Sequence, residues 1–229
     1  MAVGQSIPPD RPARPEHPAL RPPREVPRRR ITSGVAGRVA LLHALAHIEL
    51  NAIDLAFDII ARFAHDDLPR AFFDDWIAVG DDEARHYLML AGRLDELGAA
   101  YGDMNAHDGL WQAAQETADD LLARLAVVPL VLEARGLDVT PAMVAKLRGA
   151  GDEISASILQ LIHDEEITHV AAGARWFRHV CGERGLDPAE TYAALVRQRF
   201  KGSLKPPFNR ASRDAAGLPP EFYEPLAAD

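Results

Sequence analysis

The segments DDEARH (residues 81–86) and DEEITH (residues 164–169) decide the fold, because each places a Glu-x-x-His motif in an otherwise apolar helical pattern. Side chains three residues apart share one face of an α-helix. Ionised groups inside a protein are costly unless they are paired, hydrogen-bonded or bound to a metal. The two segments therefore predict compensated polar chemistry inside a helical core.

Apolar neighbours indicate that both motifs face the core. Glu83 and His86 share their helix face with Trp76, Val79 and Leu90. The second motif, Glu166 and His169, shares its face with Leu159, Ile162, Val170 and Phe177. Both pairs are therefore predicted to point into the centre of a bundle.

Two single acids lie in the apolar stripes of two other helices. We expect them to lie at the same height in the bundle as the two Glu-x-x-His motifs. These acids are Glu49 and Glu133. If the first two helices turn near Asp66, Glu49 and Glu83 each lie 17 residues from the turn (66 − 49 and 83 − 66). At ~1.5 Å per residue this is about 25 Å along either axis. The two acids are therefore expected to meet.

The second helix pair matches in height on one condition. With a turn at Ala150, Glu133 lies 17 residues before it (150 − 133) and Glu166 lies 16 after it (166 − 150). This requires a short helix at residues 141–148 to prolong the third helix past a break predicted at residues 136–139.

The spacing of apolar residues predicts an all-α protein, a four-helix bundle with short extra helices. Pro129 inside the third long helix predicts a kink there. The four long helices are predicted at residues 33–64, 67–97, 109–135 and 152–180, and the short ones at 141–148 and 188–200.

Composition divides the chain into three parts. Residues 1–31 contain eight prolines and several arginines, which predicts an extended arm that is either disordered or strapped over the bundle. Residues 32–182 form the predicted bundle. Residues 183–229 are expected to form a short helix and an irregular tail that pack on it.

Overall composition excludes several classes of protein. The chain has 229 residues, 48% of them hydrophobic, and its net charge of −9 argues against wholesale coating of nucleic acid. A single cysteine, Cys181, excludes an internal disulfide framework and a cysteine-held cluster within this chain. The N-terminus shows no signal-peptide pattern, and no apolar run approaches the ~20 residues of a membrane span. A cytoplasmic protein with no membrane partner is expected.

Four carboxylates and two imidazoles at one level would repel one another without a cation. Two metal ions remove this conflict, and carboxylate-rich ligation with imidazole and no thiolate favours iron or manganese. Glu165 is an alternative to Glu166, because it lies one turn before His169. The alternative to a metal site is a hydrogen-bonded polar network. The predicted metal ligands are Glu49, Glu83, His86, Glu133, Glu166 and His169.

This ligand set resembles that of the ferritin-like di-iron or di-manganese carboxylate superfamily, in which two helices supply one Glu each and two supply Glu-x-x-His. The DEARH sequence at 82–86 is similar to motifs of bacterial multicomponent monooxygenases and soluble acyl-carrier desaturases. The resemblance implies that Asp82 and Glu165 orient the histidines through the ring nitrogen that faces away from the metal, and that Arg85 neutralises these two acids.

A second resemblance covers nearly the whole chain. The stretches LLHALAHIELNAIDLAFD (41–58) and LKPPFNRASRDAAGL (204–218) are similar to an uncharacterised bacterial ferritin-like family, domain of unknown function 455. That likeness includes the proline-rich arm but implies no activity.

The superfamily resemblance implies two iron ions as cofactor, with manganese or a mixed pair as alternatives. The implied activity is an oxidoreductase that activates dioxygen, with an external electron donor and a small-molecule or RNA substrate. Alternatives are a ferroxidase or peroxide-handling protein, a tRNA-modifying hydroxylase of the MiaE type, and a non-catalytic metal-binding interaction protein. The run Arg28, Arg29, Arg30 is the candidate RNA contact. A homodimer is the assembly considered.

Overall fold

The computed structural model describes residues 8–22, 25–26, 34–64 and 67–227. Within these ranges all regular structure is helical, apart from two isolated β-bridges. The predicted all-α helical bundle is therefore confirmed. The arginine run at 28–30 lies outside the described residues.

Two helical hairpins form the body of the protein. The first pairs α1 (Val35–Arg62) with α2 (Arg70–Glu96). The apolar residues whose spacing predicted these two helices are buried in the structure. The second pairs α5 (Ala134–Gly149) with α6 (Glu153–Glu183). Helices α2 and α6 pack side by side and so join the two hairpins.

The third long helix of the bundle differs from the prediction. Instead of one kinked helix, it contains α3 (Gly109–Glu116), α4 (Leu121–Val127) and a π-helix (Val128–Glu133) that leads directly into α5. Pro129 is the second residue of the π-helix, so the predicted kink is a change of helix type. Such wide turns are rare and occur often at functional sites.

The predicted break at residues 136–139 is wrong, because α5 runs through it with Pro141 inside the helix. A proline removes one N–H and so leaves the carbonyl four residues earlier without its helical partner. Here that carbonyl belongs to Leu137, and the side-chain amide of Asn209 donates to it over 3.1 Å. A residue of the C-terminal tail therefore lets the helix continue.

Helix α6 approaches the π-helix very closely at Gly173. A Cβ atom at this position would lie 2.5 Å from Cβ of Pro129. Only glycine allows this approach, because any side chain would force one of the two backbones to move. Gly173 lies one turn after His169, so the close packing fixes the part of α6 that carries the second motif.

The described part of the N-terminal arm is strapped over the bundle. Arg14 donates to Oδ1 of Asn51 over 2.9 Å, and the indole of Trp111 donates to the carbonyl of Asp10 over 2.9 Å. The backbone N–H of Arg21 donates to the carbonyl of Ala106 over 2.8 Å. The strapped alternative is therefore the one the structure has for residues 8–22.

The C-terminal part is more regular than the sequence indicates. The predicted short helix is α7 (Pro188–Arg199), and the tail expected to be irregular contains α8 (Arg210–Ala215), α9 (Pro220–Tyr223) and a 3₁₀ turn (Glu224–Leu226). The tail is held by buried aromatic residues and by ion pairs that sequence periodicity does not reveal. The three-part division of the chain stays a prediction.

Helix α1 is long and apolar enough to cross a membrane by composition alone, with a mean hydropathy of 1.4 over its most apolar window. However, 61% of that window is buried inside the protein, as in the core helix of a soluble bundle. The helix also carries the buried polar residues His43, His47 and Glu49. We therefore interpret it as a core helix.

Candidate metal centre

The predicted ligands converge at one level of the bundle. Glu49, Glu83, His86 and Glu166 are all buried, and each offers a ligand atom within 4.8 Å of the others. They come from α1, α2 and α6. His169 adjoins this group, with Nδ1 3.1 Å from Oε1 of Glu83.

Both imidazoles turn Nδ1 toward the carboxylates. In His86, Nδ1 lies 3.2 Å from Oε2 of Glu49 and 3.7 Å from Oε2 of Glu83. In His169, Nδ1 lies 3.1 Å from Oε1 of Glu83 and 3.6 Å from Oε2 of Glu166. The two ring centroids are 5.8 Å apart. Glu83 therefore lies between the two histidines, with one oxygen toward each ring.

The Nε2 atoms of the two histidines face away from the ligand group, and each binds an acid on the other helix. Nε2 of His86 lies 2.7 Å from Oε2 of Glu165, and Nε2 of His169 lies 3.3 Å from Oδ2 of Asp82. Arg85 donates to Glu165 over 2.9 Å and also to Asp82. Each motif's leading acid thus holds the histidine of the other motif, which fixes the orientation of both rings.

The same geometry separates the roles of the two adjacent glutamates on α6. Glu165 is partly exposed and faces Nε2 of His86 and the guanidinium of Arg85. Glu166 is buried within the ligand group. Of these two glutamates, only Glu166 lies in the group of residues that could hold a metal ion.

Glu133 is the last residue of the π-helix, and it faces the same space. Glu133, Glu49, Glu83 and Glu166 all line one cavity. Burial, together with the charges of Glu166 and Glu83, raises the pKa of Glu133 well above its usual range. It therefore belongs to the carboxylate group, although it lies outside the tightest set of ligand atoms.

Without a cation, the pKa values of the carboxyl groups shift in opposite directions. Burial and the charge of Glu83 raise the pKa of Glu49 and Glu166. Burial opposes ionisation of Glu83, but hydrogen bonds from His169 and His86 lower its pKa to about 2. Likewise burial opposes the imidazolium, yet hydrogen bonds to Glu49 and Glu83 raise the pKa of His86 to about 10.

Three carboxylate oxygens show that the group is incomplete as a hydrogen-bond network. Oε2 of Glu83, of Glu133 and of Glu166 are buried without a hydrogen-bond partner among the described residues. Buried polar atoms without partners are rare and costly. Hydrogen-bond acceptors exceed hydrogen-bond donors here, so cations fit the residues present. A ligand set of carboxylates and imidazole nitrogens suits iron or manganese.

Proton release on metal binding is our first prediction. Metal ligands must be deprotonated, whereas hydrogen bonds to the glutamates raise the pKa of His86 to about 10 and the pKa of His169 well above its usual range. Binding of Mn²⁺ at pH 7 is therefore expected to release about two or more protons per chain, and the affinity should fall as the pH is lowered. Calorimetry in two buffers of different ionisation enthalpy measures this. Binding heats independent of the buffer would contradict it.

A cavity of about 290 Å³ opens onto the carboxylates from the side of α1 and α5. The four glutamates form its polar end, and the rest of the wall is almost entirely apolar. The wall includes Ile48, Arg135, Gly136, Val139 and Met143.

This wall is the part of the site that the sequence pattern did not predict. The predicted break at 136–139 concealed a helix face on which Gly136, Val139 and Met143 follow one another at helical spacing. Their spacing of three and four residues was the signal that could have found the wall. The proline that follows the break obscured it.

Comparisons with known proteins identify relatives without naming an activity. Residues 2–224 match the model of a family described as "Protein of unknown function (DUF455)". An uncharacterised protein of Haemophilus influenzae is 40% identical over 209 residues, which is 89% of this chain and 72% of the relative. No solved structure gives a significant match.

Proposed function

The chain belongs to that DUF455 family, and from this premise we propose that it is a ferritin-like di-iron carboxylate protein that oxidises a small organic substrate with dioxygen. The ligand set supports the ferritin-like interpretation. Glu49 on α1 and Glu133 on the π-helix each contribute one acid, and α2 and α6 each contribute a Glu-x-x-His motif. The placement in the cytoplasm, the external electron donor and the homodimer are parts of the same proposal.

Six residues would hold the two ions. Glu49, Glu83, His86 and Glu166 would bind through the ligand atoms that lie within 4.8 Å of one another. His169, which lies beside Glu83 and Glu166, and Glu133, which lines the same cavity, would complete the set.

The observation that carries the oxidation proposal is the apolar cavity beside the glutamates. A reduced iron pair supplies the electrons that activate dioxygen toward an organic molecule. The chain supplies a dry, shaped space that holds such a molecule against the carboxylate end and excludes water. Iron storage or peroxide removal gives no reason for an apolar cavity of this size.

The crossed hydrogen bonds give the outer acids a defined part in the proposed activity. Asp82 and Glu165 would accept the Nε2 protons of His169 and His86, and so keep both Nδ1 atoms unprotonated and aimed inward. Arg85 offsets the two negative charges. The α2 and α6 motifs would therefore be held at a fixed separation as the iron changes charge.

An iron titration tests this function and separates it from the ferroxidase alternative. Ferrous iron is added anaerobically to the metal-free chain in steps from one to ten equivalents, and each sample is then exposed to air. We expect rapid oxidation to stop at about two irons per chain, because the site holds two ions and offers no route to a mineral. Optical absorbance and oxygen consumption measure the end point.

Two other results would contradict the proposal. Continued oxidation in proportion to all added iron would support a ferroxidase. Binding of two irons with no oxygen consumption would support a non-catalytic metal-binding protein.

A further inference from the structure

The wall of the cavity contains a single cationic side chain among its described residues, that of Arg135 on α5. This arginine is 40% exposed, whereas the four glutamates lie at the inner end of the same space. The cavity is therefore amphipathic: a positive group stands toward solvent, an apolar wall follows, and the candidate metal centre closes the space.

The C-terminal tail holds Arg135 by one nitrogen only. Nη1 donates to the carbonyl of Lys205 over 2.6 Å, and makes longer contacts of 3.4 Å with the carbonyl of Pro207 and with Oδ2 of Asp138. Nε and Nη2 have no hydrogen-bond partner among the residues that the structure describes. One edge of the guanidinium is thus fixed, and the edge formed by Nε and Nη2 remains available.

The charge of Arg135 is not cancelled by its nearest acid. Asp138 is occupied by Arg213, whose Nε and Nη2 each donate to one carboxylate oxygen over 2.8 Å. The backbone N–H of Asn209 donates to the same carboxylate over 2.9 Å. Because Arg213 and Asn209 take up both oxygens of Asp138, this carboxylate binds Arg135 only through the long 3.4 Å contact.

We infer that the substrate is a small amphipathic carboxylate. Its carboxylate would bind the free edge of Arg135, since a guanidinium edge matches the two oxygens of a carboxylate. Its apolar body would lie along Ile48, Val139 and Met143, with the far end at the glutamates. The cavity of about 290 Å³ is at the small end of ligand pockets, which fits a single short chain or ring.

This inference rests on the proposed function only for the chemistry at the metals, because binding to the cavity can be measured without turnover. The probe is octanoate, added to the full metal-loaded chain under anaerobic conditions and followed by calorimetry. Octan-1-ol carries the same apolar body without the charge, and acetate carries the charge without the body. We expect octanoate to bind at least tenfold more tightly than either.

Substitution of Arg135 tests the anionic end. Arg135→Leu is expected to weaken octanoate binding about tenfold or more while leaving octan-1-ol binding unchanged, because only the charge-assisted hydrogen bonds are lost. Arg148→Leu is the matched control: Arg148 lies on the same helix, is 48% exposed and pairs with Glu153 away from the cavity. This control should bind octanoate like the original chain.

Substitution of Gly136 tests the cavity itself. Gly136 lines the cavity, and a Cβ atom there would meet nothing within 4 Å, so Gly136→Leu can fill the space without moving the backbone. We expect it to abolish octanoate binding. The control is Gly149→Leu, which adds the same side chain to an exposed position of α5 with equally open surroundings.

Equal binding of octanoate and octan-1-ol, or unchanged octanoate binding in Arg135→Leu or Gly136→Leu, would overturn the inference. Tight binding of acetate alone would also overturn it, because it would indicate an anion site that does not use the cavity. The iron end point of each variant is measured in parallel. Two irons per chain without octanoate binding contradicts the substrate class alone, whereas octanoate binding without paired iron contradicts the proposed function alone.

Discussion

Replacing Glu83 with alanine is expected to abolish binding of the metal pair, so that fewer than two ferrous ions remain bound per chain after anaerobic loading and desalting. Glu83 is the carboxylate that reaches both histidines, with oxygens 3.1 Å from Nδ1 of His169 and 3.7 Å from Nδ1 of His86. Removing it takes away the buried carboxylate that contacts both histidines of the group. Metal analysis of the desalted protein gives the stoichiometry.

His169→Ala should also lose the paired stoichiometry, because it removes the imidazole of one half of the site. Asp95→Ala is the control, since Asp95 is an exposed acid on α2, the helix that carries Glu83. The control should still bind two irons. If Glu83→Ala and His169→Ala both bound two irons as tightly as the control, the assignment of the metal centre to this carboxylate group would be wrong.

Much of this site was accessible from sequence because it depends on periodicity within single helices. The motif at Glu83 and His86 and the motif at Glu166 and His169 lie on faces that three- and four-residue spacing defines locally. Equal distances from the turns then placed Glu49 and Glu83 at one level. The structure brings Glu49, Glu83, His86 and Glu166 together and places His169 beside Glu83.

The third long helix could not be predicted correctly from local spacing. The sequence predicted a break at residues 136–139 and a new helix from Pro141, but α5 is continuous because Asn209, 68 positions after Pro141 in the chain (209 − 141), satisfies the freed carbonyl of Leu137. The π-helix that ends at Glu133 likewise packs closely against another element, with Pro129 next to Gly173 of α6. Both features involve tertiary contacts, which a local pattern does not contain.

The sequence predicts an irregular C-terminal tail, yet this tail contacts α5, the helix that forms part of the cavity wall. Its residues satisfy α5 at Leu137, hold one edge of Arg135 and place Arg213 against Asp138. Arg135 itself lines the cavity, and Leu137 and Asp138 are the α5 residues between Gly136 and Val139, which also line it. The tail is therefore a part of the structure on which the candidate site depends.

Replacing Asp138 with alanine is expected to lower the free energy of unfolding by about 3–5 kcal/mol, the usual cost of leaving one member of a buried ion pair without its partner. Arg213 is 2% exposed and would keep its charge inside the protein without a carboxylate. Asn209 would lose the acceptor of its N–H as well. Urea unfolding of the metal-free chain, followed by circular dichroism, measures the change.

Two companion variants separate the loss of the pair from a general effect on the tail. Asp214→Ala removes an exposed acid next to Arg213 and should change the free energy of unfolding by less than about 0.5 kcal/mol. The double variant Asp138→Leu with Arg213→Leu removes both charges and should recover much of the lost stability, because apolar residues often replace a buried ion pair at little cost. A double variant as unstable as Asp138→Ala would show that packing around the tail, and not the unpaired charge, determines the loss.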